Sequence, residues 1–394
     1  MEKGAVRKAV QETHRETGKT RKRGKRMRKK VISVLLICSM LLTLLPVGTV
    51  FAADEIVATG SCGENATWEL DNNGVLTIYG TGAISDAIRG QYIIDPPWGA
   101  YKSSINSVVI GDGITKLGQH IFDEHTTLQN VKLGAGLQEI GMNAFQDCTN
   151  LKSIELPDGL TTIGTWAFYG SGLESIHIPA SVTNISTVPF RSCKNLREVT
   201  VDPDNPVYIA VDNVIFNKAM TELVCYPSGK PDKTYAIPDT VEVLRDDVIM
   251  DNDYIEKIVF GQKMREMNLN NFVNCPNLQT IVFNNGIETI KGIRNCNSLT
   301  TLFIPESVKT LYTSSFYQCS NLSSVYFYGD APSLANTGGM SNPTLADGFT
   351  LYYLQDKQGW TTPTWNGYPT KLWDGVHTDG STEPTNPVDP VEPT

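Results

Sequence analysis

Leu151-Lys-Ser-Ile-Glu-Leu-Pro-Asp-Gly-Leu-Thr-Thr-Ile-Gly-Thr-Trp-Ala-Phe168 is followed by a second copy, Leu173-Glu-Ser-Ile-His-Ile-Pro-Ala-Ser-Val-Thr-Asn-Ile185, which closes at Phe190 and Cys193. Reading outward, the unit reopens at Ile105, Leu128, Leu151, Leu173 and Leu196, then at Asp232, Ile255, Leu278, Leu299 and Leu322, with spacings of 21 to 23 residues inside each block. Apolar residues fall at the first, fourth and sixth positions. One such unit cannot bury its own apolar face, so it must stack on its neighbours, and a fixed period in the twenties dictates a solenoid.

Each opening Leu-x-x-Ile-x-Leu is expected to form a short strand whose first, fourth and sixth residues face the core, with a bend after the first. Pro157, Pro179, Pro238 and Pro305 then end ladder pairing. A second apolar pair follows (Leu160/Ile163, Val182/Ile185, Ile287/Ile290, Val308/Leu311). Next comes Phe122, Phe145, Phe168, Phe190, Phe272 or Phe316, expected to anchor a short helical turn on the outer side. Equivalent strands of successive units align into one parallel sheet at about 4.8 Å per strand.

Residues 53–104 stand outside the repeat. Thr67-Trp-Glu-Leu70 and Val75-Leu-Thr-Ile-Tyr79 alternate apolar and polar around Asp71-Asn-Asn-Gly74, which reads as a β-hairpin. With Pro96, Pro97 and Trp98 it would cap the first core layer. The repeats occupy 105–334 and break once, at about 201–231, where Val211–Phe216 and Thr221–Tyr226 flank Asn217–Met220 as an inserted hairpin. Residues 335–375, with Gly338-Gly339, Asn342-Pro343, Trp360, Trp365 and Trp373, read as the closing cap. Residues 376–394 form a Pro/Thr-rich linker in which Pro384, Pro387, Pro390 and Pro393 keep the three-residue turn of polyproline II. The fold class expected is an α/β solenoid with one parallel β-sheet face, a β-hairpin N-terminal cap and one inserted hairpin.

The first 52 residues read as a leader. Thirteen Lys and Arg, including Arg21-Lys-Arg-Gly-Lys-Arg26, precede the uncharged run Val31–Ala53, and Val50-Phe-Ala52 places small residues for cleavage. An uncleaved anchor competes, because 23 uncharged residues can span a bilayer; Pro46 and Gly48 favour cleavage. Of the 33 basic and 42 acidic side chains, 13 and three lie in this leader, which leaves 20 against 39 beyond it, a net of −19. So acidic a chain argues against nucleic acid or anionic lipid as a partner, with membrane contact only through an uncleaved leader.

The unit Leu-x-x-Ile-x-Leu-Pro-x-x-Leu-x-x-Ile-Gly-x-x-Ala-Phe-x-x-Cys-x-Asn resembles the BspA-like (Treponema-type) leucine-rich repeat of bacterial surface and secreted proteins. Ala144-Phe145-Gln-Asp-Cys148-Thr-Asn150 and Ser315-Phe316-Tyr-Gln-Cys319-Ser-Asn321 match it most closely, and the similarity runs from about Ile105 to Ser333. The stretch Val201–Lys230 also resembles an insertion common in that family. The resemblance implies adhesion or protein binding outside the cell and brings no catalytic residues.

Reactive constellations are few. Cys148, Cys193, Cys275, Cys296 and Cys319 share one slot, three residues after the Phe or Ile anchor, so they read as a column of reduced, buried thiols. His120 and His125 bracket Asp123-Glu124, but His125 takes the Cys slot while His120 matches Asn143, so the two project differently and no metal site is expected. Asp202/Asp204 and Asp251/Asp253 read as acidic turns rather than calcium ligands. No nucleophile elbow or phosphate loop occurs. The chain is therefore read as non-catalytic and without a cofactor.

The fifth residue of each strand points away from the core. These residues are mostly polar or charged early on (Lys132, Glu155, His177, Thr200) and become Val259, Val282, Phe303 and Tyr326 toward the C-terminus. That stripe is the candidate binding site, either exposed to a ligand or covered by the Trp-rich closing segment. The function expected is a monomeric, secreted or cell-surface protein that binds a protein or glycan on a host or neighbouring cell. A passive spacer presenting other modules is the alternative, ahead of a hydrolase accessory.

Overall fold

The computed structural model describes residues 55–89, 92–268, 270–312, 314–335 and 344–376. The leader (1–52), the Gly338-Gly339 and Asn342-Pro343 pairs and the linker beyond Val376 lie outside the described residues.

The chain winds as a β-solenoid. Its N-terminal end is an antiparallel meander of Ile56–Ser61, Asn65–Asp71 and Val75–Ala83. The Asp71 carboxylate accepts from the backbone N–H of Asn73 (2.9 Å) and Val75 (2.8 Å), and Gly74 takes the left-handed φ of 82° that the turn requires. The long third strand then starts the solenoid: Val75–Ile78 pairs in parallel with Ser107–Ile110, and Gly82–Ala83 with Ile114–Lys116.

From there most coils present two short strands. In the first column, Ser107–Ile110 pairs with Asn130–Lys132, Ser175–Ile178 with Glu198–Val201, and Thr301–Ile304 with Ser324–Phe327, all in parallel. The second column carries Ile114–Leu117, Glu139–Ile140, Thr162–Ile163 and Asn184–Ile185. The expected single sheet is thus divided into several narrow parallel ones. Leu151–Leu156 forms no strand, yet Leu151, Ile154 and Leu156 are buried, so the core survives where the ladder lapses.

The outer arc departs from the expectation of a helical turn. Among the described residues the only helix is the 3-10 segment Gly99–Ser104. Two left-handed residues break each arc: Asn143 and Asp147 (φ 57° and 52°), then Trp166 and Gly170 (55° and 65°), then Val188 and Ser192 (43° and 58°). A helix needs consecutive right-handed residues, so these positions forbid one. The arc amides bond instead to the next coil, as in Phe122 N–H to Ala144 O (2.9 Å), Phe145 N–H to Ala167 O (2.7 Å) and Phe168 N–H to Pro189 O (2.8 Å). In later coils this arc is itself a strand column, Ile249–Met250, Phe272–Val273 and Ile293–Arg294.

Repetition stacks identical side chains. Trp98, Phe122, Phe145, Phe168 and Phe190 form one column with centroid spacings of 5.4, 5.3, 5.4 and 5.7 Å. All seven described cysteines are free and buried. Their slot is more than an apolar gap, because each thiol of the repeat series lies against a carbonyl of the preceding coil. Cys148 Sγ reaches Phe122 O at 3.2 Å and Cys193 Sγ reaches Phe168 O at 3.0 Å. The glycine of the Ile-Gly pair is demanded by coil contact: a Cβ at Gly141 would lie 2.6 Å from Leu117 O.

The insertion is a three-stranded meander, Tyr208–Val211, Val214–Asn217 and Glu222–Cys225, rather than the single hairpin expected. Asp212 and Asn213 (φ 53° and 61°) supply the two left-handed residues of a tight type I′ turn inside the stretch read as one strand. The strand Glu222–Cys225 rejoins the second column through Val243–Leu244. Residues of the meander pack into both halves of the solenoid. Ile215, Val224 and Cys225 belong to the N-terminal core, while Val214, Phe216 and Leu223 belong to the C-terminal one. The insertion is therefore a septum between two cores.

Candidate functional site

The expected stripe lies on the outward side of the first strand column, with Val259, Val282, Phe303 and Tyr326 all half-buried. Val259 and Val282 are register partners, and so are Phe303 and Tyr326. The two pairs sit in separate sheets, so no ladder joins Val282 to Phe303. The aromatic half is the better-built one. Phe303 and Tyr326 stack at 5.2 Å, and the stack continues to Tyr352 at 4.5 Å.

Tyr352 is the member that sequence reading missed, whereas Trp373 belongs to the Trp-rich closing segment read as a possible cover. Tyr352 is the register partner of Tyr326 on the strand Thr350–Leu354, and the next strand, Tyr368–Trp373, follows in parallel. The visible signal was Tyr352 inside Phe349-Thr-Leu-Tyr-Tyr353, a strand pattern in a stretch without the repeat consensus. Trp373 sets its ring edge-on to Tyr326 at 4.9 Å and to Tyr328 at 5.2 Å, and its indole N–H donates to Val376 O at 2.9 Å. Phe303, Tyr328 and Trp373 each make a further contact besides these. The closing segment thus leans on the stripe with one indole, and Tyr326 and Tyr352 stay half-exposed.

The histidines do not converge. His120 Nδ1 meets the Asp123 carboxylate at 2.9 Å. His125 is fully buried: its Nδ1–H donates to Asp123 O (3.1 Å), which leaves Nε2 to accept from the Trp98 indole N–H (3.2 Å). The bond from Trp98 needs the neutral imidazole, and burial pushes its pKa down from 6.5 to about 4. Burial raises the Asp123 carboxyl, with the His120 hydrogen bond opposing it. Among the described residues no group of three His, Cys, Asp or Glu is placed to hold a metal. The acidic turns are occupied from within the chain: Asp202 accepts from Asp204 N–H (2.8 Å), Asp251 from Ser192 Oγ–H (2.6 Å), and Asp253 pairs with Lys194 (2.9 Å).

The sequence profile of the BspA type leucine rich repeat region matches residues 100–219 and 231–337, more than half of the chain. No curated protein matches it. Among solved structures, a leucine-rich repeat protein from Eubacterium ventriosum is 25% identical with a TM-score of 0.55, over 73% of this chain and 93% of that one. The pneumococcal vaccine antigen PcpA shares 19% identity with a TM-score of 0.52, over 76% and 88% of the two chains, which shows the fold. A leucine rich cell surface protein from Faecalibacterium prausnitzii is 23% identical over 73% and 98%, with a TM-score of 0.49.

Proposed function

The chain belongs to the BspA-type leucine-rich repeat family, and from that premise we propose that it is an exported, surface-associated adhesion protein that binds a protein partner through the aromatic stripe. The observation that carries this reading is the continuous Phe303–Tyr326–Tyr352 stack, held on adjacent strands and half-exposed. Aromatic side chains on a rigid sheet lose little entropy on binding and make good anchors. Val259 and Val282 extend the apolar surface toward the earlier coils, whose outward residues Lys132, Glu155, His177 and Thr200 are exposed and polar. The repeat family and its solved relatives are generally non-catalytic, which fits binding rather than turnover.

Beads coated with the exported chain should adhere to epithelial monolayers, and Tyr326→Ala with Tyr352→Ala should reduce that adhesion at least about tenfold, as loss of hot-spot residues does. Each truncation should cost only about 1–2 kcal/mol of stability, because half-exposed stacking contributes less than full burial. Equal adhesion of wild-type and variant beads would favour the passive spacer.

A further inference from the structure

A second surface lies on the outer arc, away from the stripe's strand column. Four left-handed turn residues, Asp251, Asn274, Asn295 and Gln318, repeat coil after coil with φ between 53° and 56°. Asn297 and Ser320 stand two residues further along their coils, and between the two rows runs an open, polar groove of about 630 Å³. That volume lies within the range of about 300–1,000 Å³ typical of small-ligand sites, but the lining is hydrophilic where most such sites are apolar.

The first row is a side-chain ladder. Asn274 Nδ2–H donates to Asp251 Oδ1 at 2.6 Å, and Asn295 Nδ2–H donates to Asn274 Oδ1 at 2.6 Å. The ladder stops there, since Asn295 Oδ1 is buried and no group of the described chain donates to it. Asn295 Oδ1 is shielded inside the ladder, so the groups that a ligand in the groove can meet are the exposed side chains of Asn297, Gln318 and Ser320. One end of the groove is fixed by the insertion, past which Ser192 and Lys194 reach to Asp251 and Asp253.

We propose that this groove binds a linear chain of neutral hexoses. Its carboxylates are each paired with a cation, Asp251 with Arg191 (3.6 Å) and Asp253 with Lys194 (2.9 Å), which leaves no uncompensated charge for an ionic ligand. Amides and hydroxyls both donate and accept, as sugar hydroxyls do. The spacing separates this ligand from a peptide. Coils repeat at about 4.8 Å, whereas an extended peptide advances about 3.3 Å per residue and falls out of register within one or two coils. A pyranose ring, with hydroxyls on both edges, is about one coil step long and can address each coil in turn.

Calorimetric titration of the full chain with maltotriose, cellotriose and mannotriose tests the assignment, with a Ser/Gly hexapeptide as the competing probe. At least one trisaccharide should bind with a Kd of about a millimolar or tighter. Asn297→Ala with Gln318→Ala removes two exposed side chains; it should weaken binding about tenfold or more with an unchanged melting temperature. Gln318→Ala alone should give part of that loss. Tyr352→Ala, in the stripe, should leave sugar affinity intact, which separates this site from the adhesion surface. Absence of binding by all three sugars at millimolar concentration overturns the proposal. So does binding of the hexapeptide without any sugar, or undiminished affinity in the double variant.

Discussion

At the scale of single residues, a period that repeats a slot also shows what the slot demands. His125, Cys148, Ser171 and Cys193 occupy equivalent places, all buried. Ser171 Oγ lies 3.3 Å from Cys193 Sγ, so a hydroxyl is already tolerated in the column. Cys148→Ser should therefore fall at the low end of the roughly 1–3 kcal/mol that a buried polar group can cost, because the new hydroxyl can donate to Phe122 O. Chemical denaturation measures this, and thiol counting before and after unfolding should show the remaining cysteines reactive only when unfolded. The same slot makes His125 a source of pH dependence. Its folded pKa is depressed from 6.5 to about 4, so the unfolded chain binds the proton first as pH falls. Its contribution is complete above pH 6.5 and is lost as pH drops toward 4, up to about 3 kcal/mol in all. The raised Asp123 carboxyl acts in the opposite sense and trims the slope. Stability curves from pH 7 to 4 should be visibly flatter for His125→Gln than for the wild type. Equal slopes would mean that the imidazole is not held neutral.

Within the coil, buried asparagines replace backbone pairing at the turns. Asn252 Nδ2–H donates to Pro227 O (3.4 Å) and Lys230 O (3.1 Å), while its Oδ1 accepts from the N–H groups of Tyr254 (2.9 Å) and Ile255 (2.8 Å). Asn205 repeats the arrangement with Pro179, Val182, Val207 and Tyr208. One amide thus ties two coils and sets the entry into the next strand. Asn252→Leu keeps the volume but strands two carbonyls and two N–H groups, and should cost at least roughly 3 kcal/mol. Asn252→Asp keeps the acceptor but sets a second carboxylate oxygen against the Pro227 and Lys230 carbonyls in a fully buried site, so at pH 7 it should cost at least as much as leucine. Urea titration of the two variants checks the order, and a leucine variant as stable as wild type would show that water replaces the amide without loss.

Across the whole molecule, the meander at Tyr208–Cys225 decides how cooperative the array is. Stability in a solenoid is close to a sum of coils and nearest-neighbour interfaces, so a weakened interface divides the array. Ile215 packs into the N-terminal core and Phe216 into the C-terminal core, both fully buried. Arg245 braces the same junction by donating to Ile185 O (2.8 Å) and pairing with Glu222 (2.9 Å). Phe216→Ala should cost about 3–5 kcal/mol, as large buried aromatics do. Calorimetry should then resolve two transitions in place of one, the half C-terminal to the septum melting first. A single transition at a lower temperature would show that the two cores are not separable.

The sequence alone determined the solenoid, its phase and the residues of its core. A period near 23 leaves one way to bury Leu151, Ile154 and Phe168, and it carries Val259, Val282, Phe303 and Tyr326 to one strand position whatever their neighbours do. Tertiary structure decided the rest, because the rest depends on contacts between coils. The outer arc reads like a helical turn in one coil, yet its amides bond to the next coil and its left-handed residues forbid a helix. The meander reads as a hairpin until Asp212 and Asn213 turn it, and its place between two cores is invisible to a pattern that sees one strand at a time. Tyr352 and Trp373 join the stripe only through the register of the closing strands, outside any repeat consensus. The amide ladder of Asn274 and Asn295 exists because coils stack in phase, which brings residues 21 apart in sequence within hydrogen-bond reach.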